Sequence, residues 1–309
     1  MLDTLDRPRT LQCHNGAKAP LPFSDGEYTR RLAALRRIMA ARDVPAVVLT
    51  SMHNIAYLTG FLYCSFGRPY ACVVTQDAAT LVSANIDGGQ PWRRSTGDNV
   101  IYTDWRRDNY WAAVATLTGD RHRLGIEADH LTLAARCALA EACTATELVD
   151  VAGDLMAARM VKSGEEIALI RAGARIADLG GAAIRDAIHV GTREIDVAIA
   201  GRDAMERAIA DAFPASELRD TWVWFQSGLN TDGAHNPVTT RRLERRDLQS
   251  LNCYPMNPGN YTALERTLFL GHPDAAQLSI WQANVAAHEL GLSLIRPGIS
   301  CAAICDEIN

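Results

Sequence analysis

Apolar residues first fall into helical register between Ser24 and Ala41, where Leu32, Leu35 and Met39 share one face. Ser24-Asp-Gly-Glu27, just ahead of them, has the spacing of a capping box, in which a serine hydroxyl and an acid three residues on satisfy each other's backbone N–H groups. A helix is therefore predicted to open there, after an irregular arm over residues 1–22. The run 44–50 is apolar throughout and too short for a helix, so it predicts a buried strand. Strands at 70–75, 80–85, 100–103, 123–126 and 147–151 follow, with helices at about 108–117 and 131–142 among them. Ser163-Gly-Glu-Glu166 is a second capping box, opening a long helix to about residue 188, and another helix runs over about 191–212. The pattern predicts an α/β protein of two domains, 1–160 and 161–309, with the boundary just before the second cap. From Trp222 to Leu270 strands alternate with Gly-, Asn- and Pro-rich loops, and a helix over about 274–295 ends at Arg296-Pro-Gly298. A last helix starts near Ser300, and the sequence stops about two turns into it at Asn309, with no strand returning to a sheet. The expectation is a second domain lacking its last part.

Composition removes several classes. With 48% hydrophobic and 22% charged residues, and no apolar run near the roughly 20 residues a spanning helix needs, neither a membrane protein nor a disordered chain is expected. The balance of 31 basic against 36 acidic side chains, net −5, includes no basic tract, which argues against nucleic acid as a partner. Lys18 and Lys162 are the two lysines, and neither stands in a Schiff-base or phosphate-loop setting. The start lacks a basic n-region and apolar h-region, so a cytoplasmic location is expected. Eight cysteines, at 13, 64, 72, 137, 143, 253, 301 and 305, show no C-x-x-C spacing and read as reduced core thiols.

Three stretches carry candidate chemistry. His235 follows the turn Asn230-Thr-Asp-Gly233 and precedes Pro237, a position from which an imidazole can enter a cleft, although a lone loop histidine is more often a satisfied surface or hinge residue. Asn260–Phe269 reads as one strand whose alternation puts Tyr261, Ala263, Glu265, Thr267 and Phe269 on one face. Glu265 is then either the acidic floor of a pocket or the partner of a neighbouring arginine. Arg68, between Gly67 and Pro69 in an aromatic-rich loop, suits bidentate recognition of a carboxylate or is an ordinary surface arginine.

Longer stretches carry more. Phe61–Tyr70, Asn85–Arg93, Tyr102–Trp105, Trp224–Gly228, Thr231–Thr240 and Tyr261–Phe269 together resemble the creatinase type of the pita-bread family, which also holds methionine aminopeptidases and proline-specific peptidases. The likeness runs from about Phe23 to Asn309. It implies an N-terminal creatinase-type α/β domain followed by a pita-bread catalytic domain, and hydrolysis of creatine to sarcosine and urea. By the same resemblance His235 is the acid–base residue and Glu265 anchors the guanidinium. Arg68 and Phe66 reach the site of a neighbouring subunit in a homodimer, and Tyr261 lines the pocket. The family's metallopeptidases use two aspartates eleven residues apart as metal ligands; here the aligned positions are Asn252 and Ala263, which implies a site with no metal or other cofactor. Beyond this terminus the family adds strands, a second glutamate and a further arginine. The rival readings are a metal-dependent Xaa-Pro peptidase of the same fold and a non-catalytic remnant that binds a guanidino acid or only dimerises.

Overall fold

The computed structural model describes residues 7–63, 67–145, 147–216 and 220–309. The chain divides into two compact units: unit 1 comprises Met1–Ile176, Glu206–Thr221 and Pro255–Thr262, and unit 2 comprises Ala177–Met205, Trp222–Tyr254 and Ala263–Asn309. In chain order the first elements are β1 (Thr10–Leu11), α1 (Asp25–Ala41), β2 (Ala46–Leu49), α2 (Met52–Thr59), β3 (Ala71–Thr75), β4 (Ala79–Ala84), α3 (Gln90–Arg93) and β5 (Asp98–Tyr102). They are followed by α4 (Asn109–Thr118), β6 (Arg123–Ile126), α5 (Leu133–Ala142), β7 (Glu147–Asp150) and α6 (Ala152–Met160).

These strands form a mixed seven-stranded sheet in the order β1-β5-β4-β3-β2-β6-β7. Its central strands β2 and β3 are apolar from Ala46 to Leu49 and from Ala71 to Val74 because both faces are covered, and the period-two alternation divides these residues between two cores. Val47, Leu49, Cys72 and Val74 pack with Leu35 and Met39 of α1, Ile55 and Leu58 of α2 and Leu155 of α6. Ala46, Val48, Ala71 and Val73 pack on the other side with Tyr110, Ala113 and Val114 of α4 and Leu139 of α5. Each fully buried Val or Leu contributes about 1.5–3 kcal/mol. Glu127, just past β6 and 1% exposed, accepts hydrogen bonds from Thr50 N, Ser51 N, the Ser51 hydroxyl and Asn54 Nδ2. A buried carboxylate with that many donors fixes the turn from β2 into α2.

The remaining elements are α7 (Gly164–Ala187), α8 (Glu194–Ala212), β8 (Trp222–Ser227), β9 (Leu248–Tyr254), β10 (Met256–Asn257), β11 (Asn260–Tyr261), β12 (Leu264–Phe269), α9 (Ala275–Leu294) and α10 (Cys301–Ile308). Strands β12, β9 and β8 make an antiparallel sheet in unit 2, whereas β10 and β11 pair separately as a two-stranded ribbon in unit 1.

Several expectations are corrected. The strand read over 260–269 is two strands in two sheets, broken at Thr262 and Ala263, so Tyr261 does not share a strand face with Glu265; its hydroxyl donates to Asp220. The break went unseen because the apolar alternation stays in phase across it. The arm before residue 22 contains β1, and α2 and α6 occupy stretches given no helix. The cysteines are not uniformly core thiols: Cys72, Cys143 and Cys253 are buried, Cys13 is half-buried, and Cys137, Cys301 and Cys305 are exposed. At the first capping box the Ser24 hydroxyl does receive Glu27 N at 3.2 Å, but Glu27 turns its carboxylate to Arg30 and Arg31. Glu165 binds Ser24 N and Oγ in its place, at 2.8 and 2.6 Å. The second box forms reciprocally between Ser163 and Glu166.

Candidate active site

The register of the unit 2 sheet sorts its side chains. Trp224 lies opposite Asn252, which lies opposite Glu265; Gln226, Ser250 and Thr267 form the next row on that face. Opposed residues on adjacent strands have Cβ atoms about 4.5–5.5 Å apart, so each row is a continuous strip of side chains. The alternate positions Val223, Phe225, Leu251 and Cys253 are buried and face the other way. Glu265 is exposed, on an edge strand, rather than in a sheet interior; among the described residues its carboxylate accepts a hydrogen bond from the Tyr254 hydroxyl at 2.8 Å. Burial first, and then that contact with Glu265, push the Tyr254 phenol up to about 12, so it remains a donor at neutral pH. Tyr254 also stacks on Trp222, with ring centroids 4.1 Å apart.

His235 reaches the same face from the loop after β8. Its ring sits over Trp224 with centroids 4.4 Å apart and planes at 41°, which places an imidazole beside the Trp224–Asn252–Glu265 row. The loop is held from beneath by Glu194, at the start of α8 and 0% exposed. Its Oε1 accepts from Ser227 N at 2.9 Å and Ser227 Oγ at 2.6 Å, and its Oε2 from Thr239 N at 3.0 Å and Thr239 Oγ1 at 2.5 Å. Asn230 Nδ2 bridges both oxygens at 3.1 and 3.0 Å. One carboxylate therefore ties both ends of the segment 227–239, and Gln226 Nε2 closes its middle by donating to the carbonyls of Gly233 and Asn236. Arg241 extends the clamp, donating to Ser227 Oγ at 2.8 Å and to both Asp247 oxygens at 2.6 and 2.9 Å. Sequence reading missed Glu194, Trp224 and Tyr254. A lone acid opening a helix looks like ordinary N-terminal charge, and aromatic residues in a strand look like core.

Arg68 lies in unit 1, exposed, with its Nε 3.3 Å from Asp104. The surrounding contacts gather stretches far apart in sequence: Tyr102 donates to Pro69 O at 3.0 Å, and the Tyr70 hydroxyl donates to Asp87. Phe66 and Cys64 fall outside the described residues.

Residues 31–161 match the Creatinase/Prolidase N-terminal domain and residues 168–309 match metallopeptidase family M24. A creatinase from Bacillus sp. (strain B-0618) is 52% identical over 309 residues, spanning 99% of this chain and 75% of that one. The chain belongs to the creatinase family. A Xaa-Pro dipeptidase from Lactobacillus helveticus is 25% identical over 252 residues, covering 80% of this chain and 67% of its own. Among solved structures, the prolidase from Pyrococcus horikoshii OT3 superposes with a TM-score of 0.77 at 21% identity, over 90% of this chain and 76% of that one, which establishes the shared two-domain α/β fold. Within the described residues no helix is long and apolar enough to cross a membrane.

Membership brings in the family's metal-dependent branch, and the donor set can be tested against it. Asn252 is an amide whose Nδ2 donates to Ser250 Oγ at 3.3 Å, and Ala263 offers a methyl group. Divalent pairs of this kind need anionic oxygen ligands, so these two positions do not fit one. Among the described residues no other cluster of three or more His, Cys, Asp or Glu side chains has ligating geometry.

Proposed function

We propose that this protein hydrolyses creatine to sarcosine and urea without a metal, as a homodimer whose sites draw on both subunits. The carrying observation is that His235, from the loop after β8, and Glu265, on β12, lie on one face of the unit 2 sheet, where the aligned ligand positions are Asn252 and Ala263. The 52% identity to the Bacillus creatinase supports the same substrate.

Creatine carries a planar guanidinium at one end and a carboxylate at the other. Glu265 accepts N–H donors from the guanidinium, a charge-assisted contact of about 1.5–3 kcal/mol, while Tyr254 holds the carboxylate in place. Water attack on the central carbon forms the new C–O bond as His235 takes the water's proton. The imidazolium returns that proton to the N-methyl nitrogen, the C–N bond breaks with its electron pair leaving on nitrogen, and sarcosine departs. The remaining protonated urea gives up its extra proton, which ends on the amine of sarcosine, so the sum is creatine plus water to sarcosine plus urea. Arg68 from the neighbouring subunit binds the substrate carboxylate, exchanging its contact with Asp104 for it, and Phe66 of that loop closes the pocket. Tyr261 is left out of this set because its hydroxyl is engaged with Asp220.

The deciding assay is urea release from creatine with and without a chelator. Equal turnover in both supports the proposal; loss with chelator and recovery with a divalent cation would overturn its metal independence, and no urea release together with cation-dependent cleavage of a Xaa-Pro dipeptide would replace it with the peptidase reading. Mixing Arg68→Ala and His235→Ala chains tests the shared site, because their defects fall on different halves of it. Activity should reappear in the mixture, and none in heterodimers shown to have formed would reject the composite arrangement.

A further inference from the structure

Unit 1 encloses a cavity of about 360 Å³, at the small end of the range for ligand pockets, made by the arm before α1, α1, α2, the α6–α7 turn, the segment after α8 and the turn between β10 and β11. Its walls are largely apolar and aromatic, with Phe23, Tyr28, Tyr57 and Phe213 prominent. Charge in the lining is one-sided. Arg31, Arg94, Arg159 and Lys162 face it, against Glu166 among the described lining residues.

These cations are not equivalent. Arg31, 1% exposed, is neutralised by the fold: Nε donates to Glu27 Oε1 at 2.7 Å and Nη2 lies 3.3 Å from Glu166 Oε1. Arg159 is different. Its Nη1 donates to the neutral amide oxygen of Asn54 at 3.2 Å, and it forms no ion pair with a carboxylate among the described residues. Of the two acids that act on it electrostatically, Glu127 has its oxygens taken up by Thr50, Ser51 and Asn54, and Glu166 is engaged by Ser163 N and Arg31. Burial lowers the Arg159 pKa from its ordinary value despite the opposing pull of Tyr57, Glu127 and Glu166, although a guanidinium stays protonated in proteins. A second observation is independent of charge. The Tyr28 hydroxyl belongs to a residue 2% exposed and has no hydrogen-bond partner, a costly state for a buried donor. It stands in the cavity wall beside Gly60: a Cβ there would lie 2.8 Å from the hydroxyl and 3.0 Å from Leu21. Gly60 also has φ +81°, so the wall is built around a residue with no side chain.

We propose that this cavity is a binding site, separate from the creatine site, for a small monocarboxylate with an aromatic or apolar body, its charge met by Arg159 and its body held among the aromatic walls. The Tyr28 hydroxyl supplies a neutral donor along the same wall. A free inorganic anion lacks the body the walls select, and a neutral aromatic molecule lacks the charge.

The test is calorimetric titration of the full chain carrying His235→Ala, which holds creatine without hydrolysing it, with phenylacetate, phenylacetamide and acetate, in the absence and in the presence of saturating creatine. Phenylacetate should bind once per chain; the amide should bind at least about 10-fold more weakly, since one charge-assisted contact corresponds to roughly 10- to 150-fold, and acetate also at least about 10-fold more weakly, because it buries no ring. Arg159→Gln should bring acid and amide to near-equal affinity, whereas Arg159→Lys should keep most of the preference. Tyr28→Phe should weaken acid and amide together. Arg68→Ala should leave phenylacetate binding unchanged, which separates this site from the one proposed for creatine. Equal binding of acid and amide to the chain with Arg159 in place, displacement of phenylacetate by creatine, or no binding at millimolar concentration would each overturn the proposal. If Arg159→Gln does not fold, the acid–amide comparison and Tyr28→Phe still decide it.

Discussion

The two main sheets use a buried glutamate for different ends. In the seven-stranded sheet of unit 1 both faces are filled with apolar side chains, and Glu127 spends its hydrogen bonds on the turn from β2 into α2. In the three-stranded sheet of unit 2 one face buries Val223, Phe225, Leu251 and Cys253, and the other carries Trp224, Asn252 and Glu265 with His235 above it. Glu194 there accepts bonds much as Glu127 does, but the segment it ties down bears the imidazole. One device closes a core, and the other fixes the loop whose imidazole the proposed mechanism uses. The proposed chemistry is placed where a sheet face carries polar side chains and the loop above it is tied down at both ends.

That contrast can be broken most sharply at His235. His235→Ala should cut urea release from creatine by about 10²–10⁴-fold with thermal unfolding unchanged; a loss under about 10-fold would move the chemistry off this face. Next come the paired variants Glu127→Ala and Glu194→Ala. Each strands several buried donors and should cost about 2–4 kcal/mol by chemical denaturation. Only Glu194→Ala should also lower turnover per folded molecule, by about 10²-fold, the usual effect of a reactive group displaced by about 1 Å. Equal turnover losses in the two would erase the distinction between the glutamates. Glu265→Gln should follow, weakening creatine binding by about 10- to 150-fold, measured as the change in Kd.

The smallest effect concerns unit 1 and acid. Hydrogen bonding to Arg30, with Arg31 adding to it, holds the Glu27 carboxyl down to about 2 from an ordinary value near 4.5. A carboxyl depressed by folding stabilises fully above its unfolded value, so this contribution is present above pH 4.5 and lost as pH falls toward about 2. Glu27→Gln should therefore flatten the acid limb of the stability curve in that window. An unchanged limb would assign acid sensitivity to other groups.

Much of the fold could be read from the chain because its signals are local. The two serine caps located the starts of α1 and α7, and continuous apolar runs located β2 and β3. Helix α2 was missed although Ser51 caps it and Gly60 ends it in the left-handed region; eight residues are too few for periodicity to register. Helix α6 begins at Val151 without a side-chain cap, so it gave no start signal. At the site, His235 and Glu265 could be picked out by residue type and surroundings. Glu194 could not, because its function depends on Ser227, Asn230 and Thr239, which reach it only when the chain folds back on itself.

Unit 1 is assembled from three separated stretches, the last of them Pro255–Thr262. A ribosome making this chain therefore completes Ile176 and must still add roughly 85 residues before that last stretch exists, about 4–17 s at about 5–20 residues per second. Through that interval the nascent protein has its seven strands and their helices but lacks the β10–β11 ribbon, and the cavity wall at Pro258, Gly259 and Asn260 stands open. The apolar lining behind it, Phe23 from the start and Phe213 once it has been made, is then surface for a chaperone to bind. Vectorial synthesis thus gives the N-terminal sheet a period as an unsealed intermediate, which an order of segments without the late insertion would avoid.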